Sequence, residues 1–206
     1  MAMVRRGERR IPIMKVIAIN GSARKDGNTA ILVRHVFSAL EEEGIETELV
    51  QLAGKPVHGC NACYGCMKER NRRCAIDDDI VNECIGKMDE ADGIILASPT
   101  YFADVSPEIK ALMDRAGFVG IFNDSMFRRK VGAAVVAVRR GGAIHAFDTL
   151  NHFFFISQMV VPGSSYWNVG IGLERGDVEK DEEGIRTMRI LGENMAWVMK
   201  KLYAKE

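Results

Sequence analysis

The sequence has no net charge, no apolar run of membrane length, no internal repeat and no low-complexity linker. Its 206 residues carry 28 Lys and Arg against 28 Asp and Glu. With no basic surplus to neutralise phosphates, a chain built to grip nucleic acid is excluded as the expectation. The longest apolar stretches, Gly93–Ala97 and Val131–Val138, are the length of strands. A membrane span needs roughly 18 apolar residues in a row, so no membrane role is expected. Residues 1–13 contain Arg5, Arg6, Arg9 and Arg10 but no apolar core of a secretory signal. They read as a flexible N-terminal extension ahead of one domain over residues 14–206, in a reducing, cytoplasmic setting. Three motifs are missing as well: Gly-x-Gly-x-x-Gly, the Walker A loop and the Gly-x-Ser-x-Gly nucleophile elbow. His35, His58, His145 and His152 show no catalytic spacing to a carboxylate, so no hydrolase and no catalytic acid or base is expected.

What is present alternates between strand and helix. A hydrophobic share of 47% with 27% charged residues is that of a globular protein, which excludes disorder, collagen and coiled coil. Val16–Ile19, Thr47–Leu52, Gly93–Ala97, Val131–Val138 and Met159–Pro162 read as strands. Helices are expected from Thr29 to about Glu43, from Asp77–Asp79 onward, after Ser106-Pro107, over Ala143–Gln158, and over Val178–Tyr203 with a break near Gly184. Leu32, Val36 and Leu40 recur at helical spacing, Gly44 stands where a helix C-terminus wants glycine, and Ser106-Pro107 is an N-cap followed by proline at the first helical position. Strands apolar on both faces, separated by helices, predict a doubly wound parallel α/β sheet with helices on both faces. In such sheets ligands bind beyond the carboxyl ends of the strands.

The first strand exits into Asn20-Gly21-Ser22-Ala23-Arg24-Lys25-Asp26-Gly27-Asn28-Thr29 and then a helix. Backbone N–H groups at a helix start accept an anion; Ser22, Asn28 and Thr29 add neutral donors and Arg24 a charged, bidentate one. The loop suits one terminal phosphate. Its Gly-Ser-x-Arg-x-x-Gly-Asn-Thr pattern, with Gly27 included, resembles the phosphate loop of the flavodoxin-like NADPH-dependent FMN reductase group. Ser98-Pro99-Thr100-Tyr101-Phe102 resembles the segment that lies along the flavin ring in that group, and Arg139-Arg140-Gly141-Gly142 resembles its loop at the pyrimidine end. The resemblance covers roughly Met14 to the C-terminus and implies a five-stranded flavodoxin-like fold that binds FMN. Pro99, Tyr101 and Phe102 would form the flat slot, backbone N–H groups of residues 100–103, from Thr100 on, would reach ring atoms, Gly141 and Gly142 would allow close backbone approach, and Arg139 or Arg140 would meet ring charge.

Four of the five cysteines, Cys60, Cys63, Cys66 and Cys74, lie within 15 residues, in a cysteine-rich insertion at 58–76. The C-x2-C-x2-C series is iron–sulfur spacing, whereas zinc sites generally use two separated pairs. A zinc site, a redox disulfide and free thiols stay open. The longer gap to Cys74 resembles the iron–sulfur flavoprotein branch of the same group, which implies a [4Fe–4S] cluster on these four cysteines. Cys84 falls on the apolar stripe of its helix and reads as core. Lys68, Arg70, Arg72 and Arg73 form a basic run beside the cluster motif. The resemblance thus implies an FMN-dependent oxidoreductase taking electrons from NAD(P)H to a quinone, flavin or oxygen, assembled as a homodimer or homotetramer. The alternative is an electron-transfer protein fed by ferredoxin; a redox sensor ranks third.

Overall fold

A computed structural model of the chain describes residues 13–203, so the expected extension over residues 1–13 lies, Ile13 apart, outside the described residues. The sheet has five parallel strands in the order β2-β1-β3-β4-β5. They are β1 (Lys15–Asn20), β2 (Glu46–Gln51), β3 (Gly93–Pro99), β4 (Val131–Val138) and β5 (Val169–Ile171). The helices are α1 (Asn28–Glu42), α2 (Gly65–Glu69), α3 (Val81–Glu90), α4 (Pro107–Phe122), α5 (Ala143–Ile156) and α6 (Glu182–Tyr203), with a 3-10 turn over Asp177–Lys180.

Alternate residues of each central strand serve opposite faces. Ile17, Ile19, Ile94, Leu96, Ala134 and Val136 pack with α3, α4 and α5. Val16, Ala18, Ile95, Ala97, Ala133 and Val135 pack with α1 and α6. This double burial is why the strands lack polar positions. The helix ends follow local chemistry. Gly44, at φ +78, closes α1: its N–H donates to Glu41 and that of Ile45 to Leu40, the bond pair of a Schellman cap. Ser106 Oγ accepts the Ile109 N–H at the start of α4, with Pro107 behind it.

Three expected elements sit elsewhere. Met159–Pro162 makes one parallel bridge, Val160 to Val131, and the fifth strand is Val169–Ile171. Residues 163–168 bulge out between the two, and Asn168 fills the gap: its Nδ2 donates to Ala134 O at 3.0 Å and its carbonyl accepts Val136 N–H at 3.0 Å. The third helix starts at Val81 rather than Asp77–Asp79; Asp79 stands ahead of it, its Oδ1 accepting the Val81 N–H at 3.0 Å and its Oδ2 bonded by the His58 N–H and Arg115. The last helix runs unbroken through Gly184 and is preceded by the separate 3-10 turn.

α1 and α6 cross in close contact. A Cβ on Gly192 would stand 2.5 Å from Val36 O and 2.7 Å from Ala39 Cβ. Gly192→Ala is therefore expected to cost about 1–3 kcal/mol through overpacking, read as a lower urea midpoint at constant slope. Gly86, inside α3 with open space around it, should behave oppositely, with Gly86→Ala gaining about 0.4–1 kcal/mol.

Candidate functional site

The carboxyl ends of β1, β3 and β4 open onto one cleft. Ser22, Arg24, Asn28 and Thr29 line one end; Pro99, Thr100, Tyr101 and Arg139 line the other. Gly172 and Leu173, from the connection after β5, close the side. These two were missed in the sequence because the fifth strand was expected some ten residues too early. Gly172 leaves room for Asn28, whose Nδ2 lies 2.8 Å from where a Cβ would stand.

The β1–α1 loop is held from both sides. Asn20 Oδ1 accepts the Ser22 N–H at 3.0 Å, and Gln51 Nε2 on β2 donates to Ser22 O at 2.7 Å. On the other side the Gly21 N–H donates to Ala97 O at 2.8 Å and the Ser106 hydroxyl donates to Gly21 O at 2.7 Å. Ser22 Oγ accepts the Arg24 N–H at 3.2 Å, which leaves its hydroxyl proton to donate. The first intrahelical bond of α1 runs from Ile31 to Gly27, so the N–H groups of Asn28, Thr29 and Ala30 have no acceptor within the helix. Asn28 Oδ1 is taken by the Gly176 N–H at 2.9 Å and Arg24 Nη1 by Leu173 O at 3.1 Å. The remaining donors form a cradle suited to an anion. At the far end two of the N–H groups expected to reach a ring are engaged within the protein, Thr100 to Ala137 O and Tyr101 to Asp104 O, both at 2.8 Å, while Thr100 Oγ1 is buried without a hydrogen-bond partner, an unmet donor and acceptor within the same cleft. A flat, phosphate-bearing ligand with polar ring edges fits this set.

Four of the residues expected in the cleft stand apart from its walls. Gly27 forms the turn before α1, donating to Arg24 O at 3.1 Å. Phe102 is fully exposed, at φ +46 beside Ala103 at φ +65. The Tyr101 N–H donates to Asp104 O and the Asp104 N–H to Tyr101 O, so Phe102 and Ala103 form the tip of a tight turn. Gly141 has open space around it, while Gly142, at φ +89, lets the start of α5 press on Ala103, where a Cβ would come within 2.7 Å of its Cα. That packing shapes the cleft wall from behind. The fold also brings His145 Nε2 to 3.5 Å from Asp104, an exposed pair far apart in sequence.

The four clustered cysteines line a second, apolar pocket with Arg115 and Phe118. Gly65 lets α2 approach Ala75, against which a Cβ would stand at 2.7 Å; this close packing draws Cys63 and Cys66 toward Cys74. Among the described residues no three such side chains converge on a single metal-ion position. Burial pushes the Cys66 thiol up. Cys84 is wholly buried in the α3 stripe and burial pushes its thiol up to about 12, an inert core residue as expected. Tyr166 and Trp167 pack edge to face, 4.4 Å between ring centres, on the bulge before β5.

An open sheet in this strand order, with an anion-accepting loop after β1, defines a flavodoxin-like protein. Residues 14–174 match the family described as NADPH-dependent FMN reductase. The chain belongs to that family. It is 44% identical over 194 residues to an iron–sulfur flavoprotein of Methanocaldococcus jannaschii, covering 91% of this chain and 98% of the relative. An iron–sulfur flavoprotein of Methanosarcina thermophila is 33% identical over 178 residues, covering 85% and 90%. The same fold occurs in a WrbA-like flavodoxin from Agrobacterium tumefaciens, at TM-score 0.63 and 16% identity over 92% of this chain and 98% of that one. No helix among the described residues is long and apolar enough to cross a membrane.

The pair Arg115–Asp79 is wholly buried. Burial alone would push the Asp79 carboxyl up, but the Arg115 guanidinium and the N–H groups of His58 and Val81 hold it below the ordinary 3.8. Its contribution to stability is thus in place above the unfolded-state value near 4 and is lost as pH falls through the lower folded value. Asp79→Asn, which strands a buried guanidinium, is expected to cost about 3–5 kcal/mol. Glu42→Gln, at the exposed Arg189 pair, should lower the unfolding midpoint far less, because water screens that pair; urea titrations at pH 7 compare the two.

Proposed function

We propose that this chain is an FMN-dependent redox protein of the iron–sulfur flavoprotein kind. In this reading FMN lies in the cleft at the ends of β1, β3 and β4, and Cys60, Cys63, Cys66 and Cys74 hold a [4Fe–4S] cluster. The observation that carries the reading is one cleft with an anion cradle at one end and the unpartnered Thr100 hydroxyl at the other. When bound, FMN supplies reversible two-electron chemistry, and a cluster supplies single-electron exchange.

The protein's part is binding and orientation. Ser22, Thr29 and the α1 N–H groups hold the phosphate, with Arg24 supplying the positive charge. Pro99 and Tyr101 offer the apolar face of the slot, and Thr100 meets a ring-edge polar atom. Arg139 places a cation at the β4 end of the cleft, suited to negative charge arriving on the ring. No side chain is needed as acid or base for hydride delivery to a flavin.

The primary reading of the donor is NAD(P)H, with a quinone, flavin or oxygen as acceptor. A second reading, ferredoxin as donor, is favoured by the exposure of Cys60 and Cys63 and by the exposed Lys68, Arg70 and Arg73 beside them. Anaerobic assays with NADH, NADPH and reduced ferredoxin separate the two: bleaching of the flavin by a nicotinamide alone supports the first, and bleaching by ferredoxin alone the second.

Phosphate binding gives a quantitative check. Arg24→Gln is expected to weaken FMN about 10–100-fold, the worth of roughly 1.5–3 kcal/mol for a hydrogen bond to a charged group. Riboflavin, which lacks the phosphate, should bind wild type and variant alike in the same fluorescence titration. Equal losses for both ligands would remove Arg24 from the phosphate site. Anaerobic reconstitution is expected to load about four irons per chain on the four thiolates, counted by iron and sulfide assays, and Cys63→Ser should abolish the loading while FMN still binds.

A further inference from the structure

The cysteine insertion has little structure of its own. Its one helix, α2, is a single turn, and Ala62, Tyr64, Arg70 and Arg72 all sit at positive φ. Its backbone hangs instead from side chains of the body. The His58 N–H donates to Asp79 Oδ2 at 2.7 Å, the Arg72 N–H to Asn123 Oδ1 at 2.9 Å, and the Cys74 N–H to Asn82 Oδ1 at 2.8 Å. Asn82 Nδ2 returns bonds to the carbonyls of Cys74 and Ile76.

Arg115 on α4 sits at the centre of this arrangement, with its side chain wholly buried. Its Nη1 donates to His58 O at 3.0 Å and also to Asp79; its Nη2 donates to Ile76 O at 2.7 Å; its Nε donates to Cys74 Sγ at 3.2 Å. One planar cation thus ties the entry of the insertion, its exit and one sulfur to the rigid body. A buried guanidinium keeps its charge, and no lysine can make this fork. Of the four sulfurs that line the pocket, only Cys74 receives a side-chain hydrogen bond from the body among the described residues.

We propose that Arg115 is the positioning residue of the cysteine centre: it holds the insertion in its ligating shape before any iron arrives and sets a fixed positive charge on the Cys74 sulfur. The electrostatic half of this inference rests on the cluster reading above. A cluster on four thiolates is negatively charged and becomes more so on reduction. Hydrogen bonds to its sulfurs and nearby positive charge favour the reduced form, so loss of Arg115 should lower the reduction potential.

The test uses the full chain as wild type, Arg115→Gln and Arg115→Lys, each first checked for wild-type FMN binding. Hydrogen exchange on the iron-free proteins comes first. Wild type should protect the amides of His58, Arg72 and Cys74, and both variants should exchange them faster, while β1 and β4 stay unchanged. Unchanged exchange across residues 58–76 in a folded variant would overturn the positioning role. Anaerobic reconstitution and a potentiometric titration follow. Arg115→Gln should retain fewer irons and reduce at a lower potential than wild type, with Arg115→Lys, which keeps the charge, in between. A wild-type potential in loaded Arg115→Gln would overturn the electrostatic role. Should Arg115→Gln fail to bind FMN, Arg115→Lys decides the positioning role by exchange, and the charge-free Arg115→Met replaces Arg115→Gln in the potentiometric titration. Wild type that takes up no iron would sink the cluster reading and the electrostatic role with it, and the exchange result alone would then decide the positioning role.

Discussion

A parallel sheet covered by helices on both faces leaves very little of itself free. Residues 94–97 of β3 and 133–138 of β4 alternate between two apolar layers, and β3 pairs in register with β1 on one side and β4 on the other. The places where polar chemistry can collect are the loops beyond the strand ends. Because all five strands run the same way, those loops fall at one edge, and the cleft forms there from four connections distant in sequence. The same constraint explains the small residues. Gly132 yields to the ring of Phe154 and Gly170 to Leu32, since layers this tight take up bulk on one side only.

Much of this was legible beforehand because the signals were local. Val131–Val138 is apolar at every position, Ser106-Pro107 carries its own cap, and Gly44 its own stop. The β1–α1 loop announced its chemistry through residues within ten positions of one another. The failures have one physical cause, which is that the deciding partner lay elsewhere in the chain. Met159–Pro162 is as apolar as a strand should be, yet Asn168 takes over its place on the ladder by bonding to β4. Asp79 looked like a first-turn acid of α3 until Arg115, 36 residues away, claimed it.

The cysteine insertion shows the limit more sharply. Spacing alone grouped the four sulfurs, and the fold does bring them to one pocket. What holds that pocket is a set of side chains from α3 and α4 that no cysteine count contains. Asn82 and Asn123 look unremarkable in sequence, and Arg115 sits at helical spacing among apolar neighbours where a buried cation is unexpected. A loop with four left-handed residues keeps its shape through these bonds, together with the close fit of Gly65 against Ala75.

Helix α4 touches both centres. Ser106 at its start grips the β1–α1 loop through Gly21, and Arg115 grips the cysteine insertion. Nine residues at the rise of an α-helix put these two anchor points about 14 Å apart. The helix is therefore a rigid spacer, and the separation between cleft and sulfurs is fixed when the core folds rather than by the exposed loop around Cys60. Lengthening α4 by one turn between the two anchors would move one centre past the other without changing a residue of either, turning distance itself into a variable that can be set by chain length.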